Sequence, residues 1–263
     1  MEIVNSLLVL SYDGTSFFGW QKQPSLPTVQ GELEKALSRI LGEEVSIKGA
    51  GRTDRGVHAL RQYANFFCLK DYDPSSLRRS LNALLPPDIR VLRVIKGIPL
   101  DFDARRNAVW REYRYLTYRG DFLPPFLNRY CYLLKKDLDL NALKKAASLF
   151  VGVHDFSAFC DGEDPHKSKV REILEFRIEE KPPFLVFVVK ANAFLRHMVR
   201  IIISTIIDIG TGKRTEADLK KALSFGDRGL SSPALSPKGL WLWDVKFVWK
   251  VQEGQPRKCN NNV

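Results

Sequence analysis

Apolar and polar positions fall into two rounds of similar order along this chain. In the first, Leu7, Val9 and Ser11 interleave with Leu8, Leu10 and Tyr12, the pattern of a strand buried on both faces. Val29, Leu33, Ala36, Leu37 and Ile40 then recur at helical spacing, with Gly42 as a stop signal. Val45 to Lys48 and Gln62 to Leu69 read as strands on either side of a glycine-rich loop. Leu77, Leu81, Leu84 and Leu85 mark a second helix after Pro74, and Ile89 to Ile95 a further strand. The expected order is β-α-β-β-α-β.

The second round opens on a strand from Trp110 to Tyr118, followed by a helix from about Leu140 to Phe150. Val170 to Ile178 and Phe184 to Lys190 predict a hairpin around Lys181-Pro182-Pro183. Phe194, Met198, Ile201, Ile202, Thr205 and Ile209 trace the apolar face of a long helix. Thr215 with Asp218 predicts a capping box for a shorter helix, and Leu240 to Val248 a closing strand. The fold class expected is α+β, with two pseudo-duplicated ferredoxin-like βαββαβ halves. The halves are taken as 1–104 and 105–250, with a polar tail over 251–263. RNA-recognition modules share this topology, but topology alone does not assign a function.

Charge adds a partner class. The 263 residues carry 41 Lys and Arg against 30 Asp and Glu, a net charge of +11. A surplus of that size suits a polyanion, because each basic group that neutralises a phosphate releases a condensed counterion. Cys68, Cys131, Cys160 and Cys259 include no CxxC pair, and His58, His154, His166 and His197 are equally scattered, so neither a zinc site nor a disulfide framework is expected. The apolar run at the N-terminus is too short and wrongly flanked for a signal peptide. The stretch from Ile201 to Ile209 follows Arg200 and contains Asp208, so it does not read as a membrane span. A soluble, cytoplasmic protein is expected.

The chemistry concentrates in GAGRTDRGVHAL, Gly49 to Leu60, where three glycines in eight residues allow tight turning and close approach to backbone. No Gly-Lys-Ser/Thr follows as a P-loop requires. Asp54 occupies the third glycine position of a dinucleotide fingerprint, where a carboxylate would repel a pyrophosphate. What remains is one aspartate flanked by Arg52 and Arg55, which reads either as a turn residue in a surface ion pair or as a carboxylate that the guanidinium groups keep ionised as nucleophile or base.

GRTDRGVHA closely resembles the catalytic motif of the TruA family of tRNA pseudouridine synthases, and the likeness extends over nearly the whole chain. SYDGTSFFGWQKQP resembles the family's opening segment and VQGELEKAL its first helix. DFDARRNAVWREYRY is similar to the strand with the active-site tyrosine, KANAFLRHMVRIIIS to the helix with its basic partner, and SPALSPKGLWL to the final strand entry. The resemblance implies the pseudouridine synthase fold, with its halves around a central RNA-binding cleft. It also implies a tRNA substrate, no cofactor, a homodimer, and targets at positions 38, 39 and 40 of the anticodon stem-loop. Residue by residue, it makes Asp54 the nucleophile, Tyr113 the tyrosine that stacks on the target uracil, and Arg200 the arginine paired with the aspartate. Arg52 and Arg105 fall where the family contacts RNA or frames the pocket. Two departures add charge beside the site: Arg55 stands where alanine is common, and Arg106 where an aromatic residue is common.

The chemistry fits these residues. Pseudouridine formation breaks the glycosidic bond, turns the uracil and rejoins it through carbon, with no external water. A glycosidic hydrolase usually carries two carboxylates, one to activate water; this loop has one acid amid arginines. Asp54 either attacks the base or sugar or abstracts a sugar proton, and the residues do not choose between these. Alternation puts Arg111, Tyr113, Tyr115 and Thr117 on one strand face, open either to core packing or to a flipped base. His58 reads equally as an RNA contact or a loop-packing residue. His197 is taken as structural, on the apolar face with Phe194 and Ile201; the Lys167-Ser168-Lys169 run reads as a phosphate contact or a solvated face, and the resemblance implies the RNA contact. The rivals are a non-catalytic RNA-binding protein, which needs no arginine-flanked aspartate, and a dinucleotide-dependent oxidoreductase, disfavoured by Asp54.

Overall fold

Strand β1 (Val4–Tyr12) runs through the middle of the first round's sheet, and helix α1 (Val29–Leu41) follows it. The Thr28 side chain accepts from the Gly31 amide to start α1, and Gly42, at φ 73°, ends it in the left-handed region that glycine tolerates. Strands β2 (Ile47–Gly49) and β3 (His58–Cys68) flank the glycine-rich loop. Helix α2 (Pro74–Leu84), capped by Asp73 with proline in its first turn, leads into β4 (Ile89–Ile98). The second round supplies β5 (Ala108–Arg119), the short β6 (Tyr132–Leu134), α3 (Leu140–Ser148) and β7 (Gly152–Asp155). It continues with β8 (Val170–Lys181), β9 (Phe184–Ala191), α4 (Met198–Gly210), α5 (Glu216–Phe225) and β10 (Leu240–Phe247). This computed structural model describes residues 2–134, 137–162 and 168–248. The tail from 251, His166, Lys167 and Cys259 lie outside them.

All ten strands join one sheet, with main path β4-β1-β3-β10-β5-β9-β8-β7, β2 on β3 and β6 on β5. The first round gives the order β4-β1-β3-β2 and the second β10-β5-β9-β8, the same ferredoxin-like connectivity twice. The rounds are stitched by the last strand: β10 pairs antiparallel with β5, and its Trp241 and Leu242 pair parallel with His58 and Ala59 of β3. That pairing explains why β3 begins four residues before the expected Gln62. Strands β6 and β7 were not expected, being short additions with no pattern of their own.

Helix α4 departs from the sequence reading. It begins at Met198, not Phe194, because His197 sits at φ 60°, ψ 0°, where a right-handed helix cannot continue backwards. Its apolar stripe is also not confined to one face: Met198, Val199, Ile201, Ile202, Ile203, Ser204, Thr205, Ile206 and Ile207 are all buried. α4 therefore runs through the core, against α3, with Arg200 and Asp208 its only residues not buried. The capping box at α5 forms as expected, with reciprocal Thr215 and Asp218 bonds.

The buried side chain that ties the glycine-rich loop to the sheet is Arg111 on β5. Its guanidinium donates to the carbonyls of Ala50, Arg105, Ala108 and Asn192, at 2.6 to 3.3 Å. Leaving such carbonyls buried without donors is costly, so Arg111→Met should lower unfolding free energy by about 3 kcal/mol. Urea denaturation should show this as a lower midpoint at an unchanged slope; a midpoint equal to that of the parent protein would show that the carbonyls find other donors.

Candidate active site

The loop between β2 and β3 is held from below by buried polar groups. The Trp20 amide donates to the Thr53 carbonyl at 3.0 Å, and the Gln62 side chain donates to the Gly51 carbonyl at 2.7 Å. The Tyr12 hydroxyl bonds the Thr53 hydroxyl at 2.8 Å, and Arg111 holds Ala50. Two glycines make room from neighbouring segments: a Cβ on Gly14 would lie 2.0 Å from the Val57 carbonyl oxygen, and one on Gly19, itself at φ 92°, would lie 2.7 Å from the Thr53 carbonyl oxygen. With Thr53 and Val57 buried on either side, Asp54 is presented with about a third of its side chain exposed (33%).

Arg200 of α4 reaches that carboxylate. Its Nη1 lies 3.6 Å from Asp54 Oδ2, and its Nε donates to the Leu235 carbonyl at 2.6 Å. Only 13% of the Arg200 side chain is exposed, so the pair is screened less than a surface pair would be. Tyr113, from β5, stands behind the loop. A Cβ on Gly51 would come 3.8 Å from its hydroxyl, and its ring meets Phe194 edge-on at 5.1 Å. Burial, with the nearby Tyr12 and the charge of Asp54, pushes the Tyr113 phenol well above its ordinary range. Its neighbours on the same strand face, Arg111, Tyr115 and Thr117, are buried in packing and hydrogen bonds: Tyr115 donates to the Ser236 carbonyl and Thr117 to the Leu185 carbonyl.

The structure therefore brings Asp54, Arg200 and Tyr113 together. Arg52 and Arg105 are exposed, and neither side chain pairs with Asp54. Arg105 stands beside the loop because its carbonyl shares the Arg111 guanidinium with Ala50. Arg55 lies over the Phe18 ring at 4.2 Å, and Arg106 is exposed.

Of the two readings open for His58 the structure takes the packing one, and it moves His197 off the helix face where the sequence reading placed it. His58 is fully buried: its Nδ1 accepts from the Gly14 amide at 3.1 Å, its Nε2 donates to the Arg129 carbonyl at 2.9 Å, and its ring stacks on Trp241. It packs the base of the loop and is closed to RNA. His197 is not on an apolar helix face; it immediately precedes α4 and joins the acid cluster. Its Nε2 lies 3.6 Å from Asp54 Oδ2, and its Nδ1 bonds Asp161 at 2.9 Å. Arg228 Nε donates to the other Asp161 oxygen at 3.0 Å. Burial works to raise Asp161, but the bonds from His197 and Arg228 outweigh it and hold the carboxyl below its ordinary value. His197, Asp161 and Arg228 were missed as a set. Each comes from a different stretch of chain, and nothing in local spacing links them. Among the described residues, no group of three His, Cys, Asp or Glu side chains could hold a metal ion, and no helix is long and apolar enough to cross a membrane.

The family model described as tRNA pseudouridine synthase matches residues 8–105 and 146–248. A tRNA pseudouridine synthase A of Caldicellulosiruptor saccharolyticus is 41% identical over 243 residues, covering 92% of this chain and 99% of that protein. Its counterpart from Caldicellulosiruptor bescii is 39% identical with the same coverage, and that of Brevibacillus brevis is 38% identical over 91% of this chain and 98% of its own length. Both segments of the family match carry pieces of the cluster just described, Asp54 and Tyr12 in the first, His197, Arg200 and Arg228 in the second, and the chain belongs to the tRNA pseudouridine synthase A family.

Proposed function

We propose that Asp54 is the nucleophile of a uridine-to-pseudouridine isomerisation carried out without a cofactor on the anticodon stem-loop of tRNA. The observation that carries this reading is the placement of the loop's single carboxylate, partly open to solvent, with Arg200 and His197 on one oxygen and the neutral Tyr113 phenol behind it. The half over 1–104 brings the acid and the half over 105–250 brings its partners. A substrate base lying against Asp54 would stack beside Tyr113, while the free guanidinium groups of Arg52 and Arg105 offer phosphate contacts.

The reaction needs the glycosidic C–N bond broken, the uracil turned and a C–C bond made through carbon 5, which then loses its hydrogen. Attachment of Asp54 to the base would tether the detached uracil, attachment to the sugar would hold the glycosidic carbon for attack by carbon 5 as Asp54 leaves, and abstraction of a sugar proton would start the same cleavage. An arginine clamp on the carboxylate favours an ordered acid over a water-activating pair. Resemblance to the family supports positions 38, 39 and 40 as targets and a homodimer as the working form. Loss of isomerisation in tRNA lacking uridine at those three positions, and sedimentation at twice the chain mass, are the expected results.

Asp54→Asn should abolish tritium release from tRNA carrying 5-tritiated uracil while tRNA affinity stays within about three-fold, because the residue acts on bonds, not on phosphates. Turnover near the parent rate would remove Asp54 from the chemistry. Tyr113→Phe should keep tRNA binding and lose activity, whereas Tyr113→Ala should lose both, since stacking alone is worth about 1–3 kcal/mol per base. Full activity in the Phe variant would leave stacking as the residue's sole role.

Arg200→Lys should fold normally and turn over more slowly, because a point charge does not replace a guanidinium that holds Leu235 and Asp54 at once. Arg200→Ala should lose rate with tRNA affinity and its salt dependence unchanged. A salt slope flattened by about one phosphate contact would instead assign Arg200 to the RNA backbone.

A further inference from the structure

His197 stands between two carboxylates. Its Nδ1 is 2.9 Å from Asp161 Oδ2, and its Nε2 is 3.6 Å from the Asp54 oxygen that Arg200 also approaches. Asp161 is itself fixed. Its other oxygen accepts from Arg228 Nε at 3.0 Å, and Arg228 is braced by the Ser231 hydroxyl at 2.7 Å and the Ser232 carbonyl at 3.2 Å. The Asp161 amide meets the Arg196 carbonyl at 3.3 Å, so both ends of the His197–Asp161 link are tied into backbone.

The backbone of His197 points the same way. It is one of two non-glycine residues at positive φ among the described residues, and it holds the N-cap position of α4 without using its side chain to cap that helix. Serine, threonine, aspartate or asparagine would serve a cap better. The ring is directed at the two acids instead, and a sparsely populated backbone conformation beside reacting groups is a mark of a constrained site. The Nδ1 bond to Asp161 sets the ring so that Nε2 faces the Asp54 oxygen. Among the described residues, the charged groups around the ring are Asp54 from the loop, Asp161, Arg228, and Arg196 and Arg200 on either side in sequence.

We propose that His197 is a positioning residue for Asp54: gripped by Asp161, which Arg228 holds in turn, it fixes the carboxylate at the oxygen that Arg200 also approaches and leaves it one orientation toward the substrate. This rests on the reading of Asp54 as the nucleophile. The sequence of supports runs Arg228, Asp161, His197, Asp54, and each link is a contact between segments far apart in the chain.

His197→Gly is the variant to make, because glycine adopts the left-handed backbone freely and the fold should survive. The expected result is a fall in kcat of about 10- to 100-fold with KM for tRNA changed less than about two-fold, the signature of a misplaced reacting group. Added imidazole should recover part of the lost rate by filling the vacated space. Asp161→Asn should also lower kcat, and combining it with His197→Gly should lower it no further, since both act through one link. A His197→Gly protein with kcat within two-fold of the parent overturns the proposal. So does a raised KM at unchanged kcat, or losses that multiply in the double variant. If the glycine protein does not fold, His197→Asn tolerates the same backbone, is too short to bridge the acids, and carries the same test. Asp54→Asn run alongside separates the two readings. If it is inactive while His197→Gly is normal, only the role of His197 falls; if Asp54→Asn turns over, the assignment of Asp54 falls and takes this one with it.

Discussion

The anchoring of the Ala50–Val57 backbone is the constraint on which the site depends. An aspartate on a solvent-exposed glycine-rich turn would sample many orientations. Here the carbonyls of Ala50, Gly51 and Thr53 are each taken by a donor from the body of the fold: Arg111, Gln62 and the Trp20 amide. Backbone carbonyls buried without donors are expensive, so the loop has one low-energy position. Gly14, Gly19 and Gly49 let neighbouring segments close on it; a Cβ on Gly49 would meet the Trp20 ring at 2.5 Å. Asp54 is placed by this backbone before any contact to its side chain is made.

Electrostatics then acts on a carboxylate that is already located. Arg200 and His197 approach the same oxygen, and both belong to the short stretch that opens α4. Because Arg200 also holds Leu235, the position of its guanidinium is set by the entry to β10. That strand in turn sits between β3 and β5, and Tyr115, two residues from Tyr113 on β5, donates to the carbonyl of Ser236 beside Leu235. The acid, its basic partner and the tyrosine come from stretches more than fifty residues apart in sequence, and one continuous sheet carries them to one place. Phe194 packs edge-on against Tyr113, whose hydroxyl borders Gly51.

Much was determined by the sequence alone. Alternation and helical spacing placed the principal strands and helices to within a few residues, because period and capping chemistry act locally: Thr28, Asp73 and Thr215 cap the helices that follow them wherever those helices pack. The repeated order of elements implied a duplicated ferredoxin-like plan, and the string around Asp54 implied its chemistry by resemblance. Tertiary structure decided the rest. The parallel pairing of β10 with β3, which moves the start of β3 to His58, depends on residues more than 180 positions apart. The helix after Asn192 starts late because the chain turns at His197 to meet Asp161, and an apolar pattern does not record a turn made for a polar contact. His58 and His197 look alike in sequence; one became a buried packing residue and the other a member of the acid cluster, because a histidine's role follows from the groups around its two nitrogens, and those groups are brought there only by the fold.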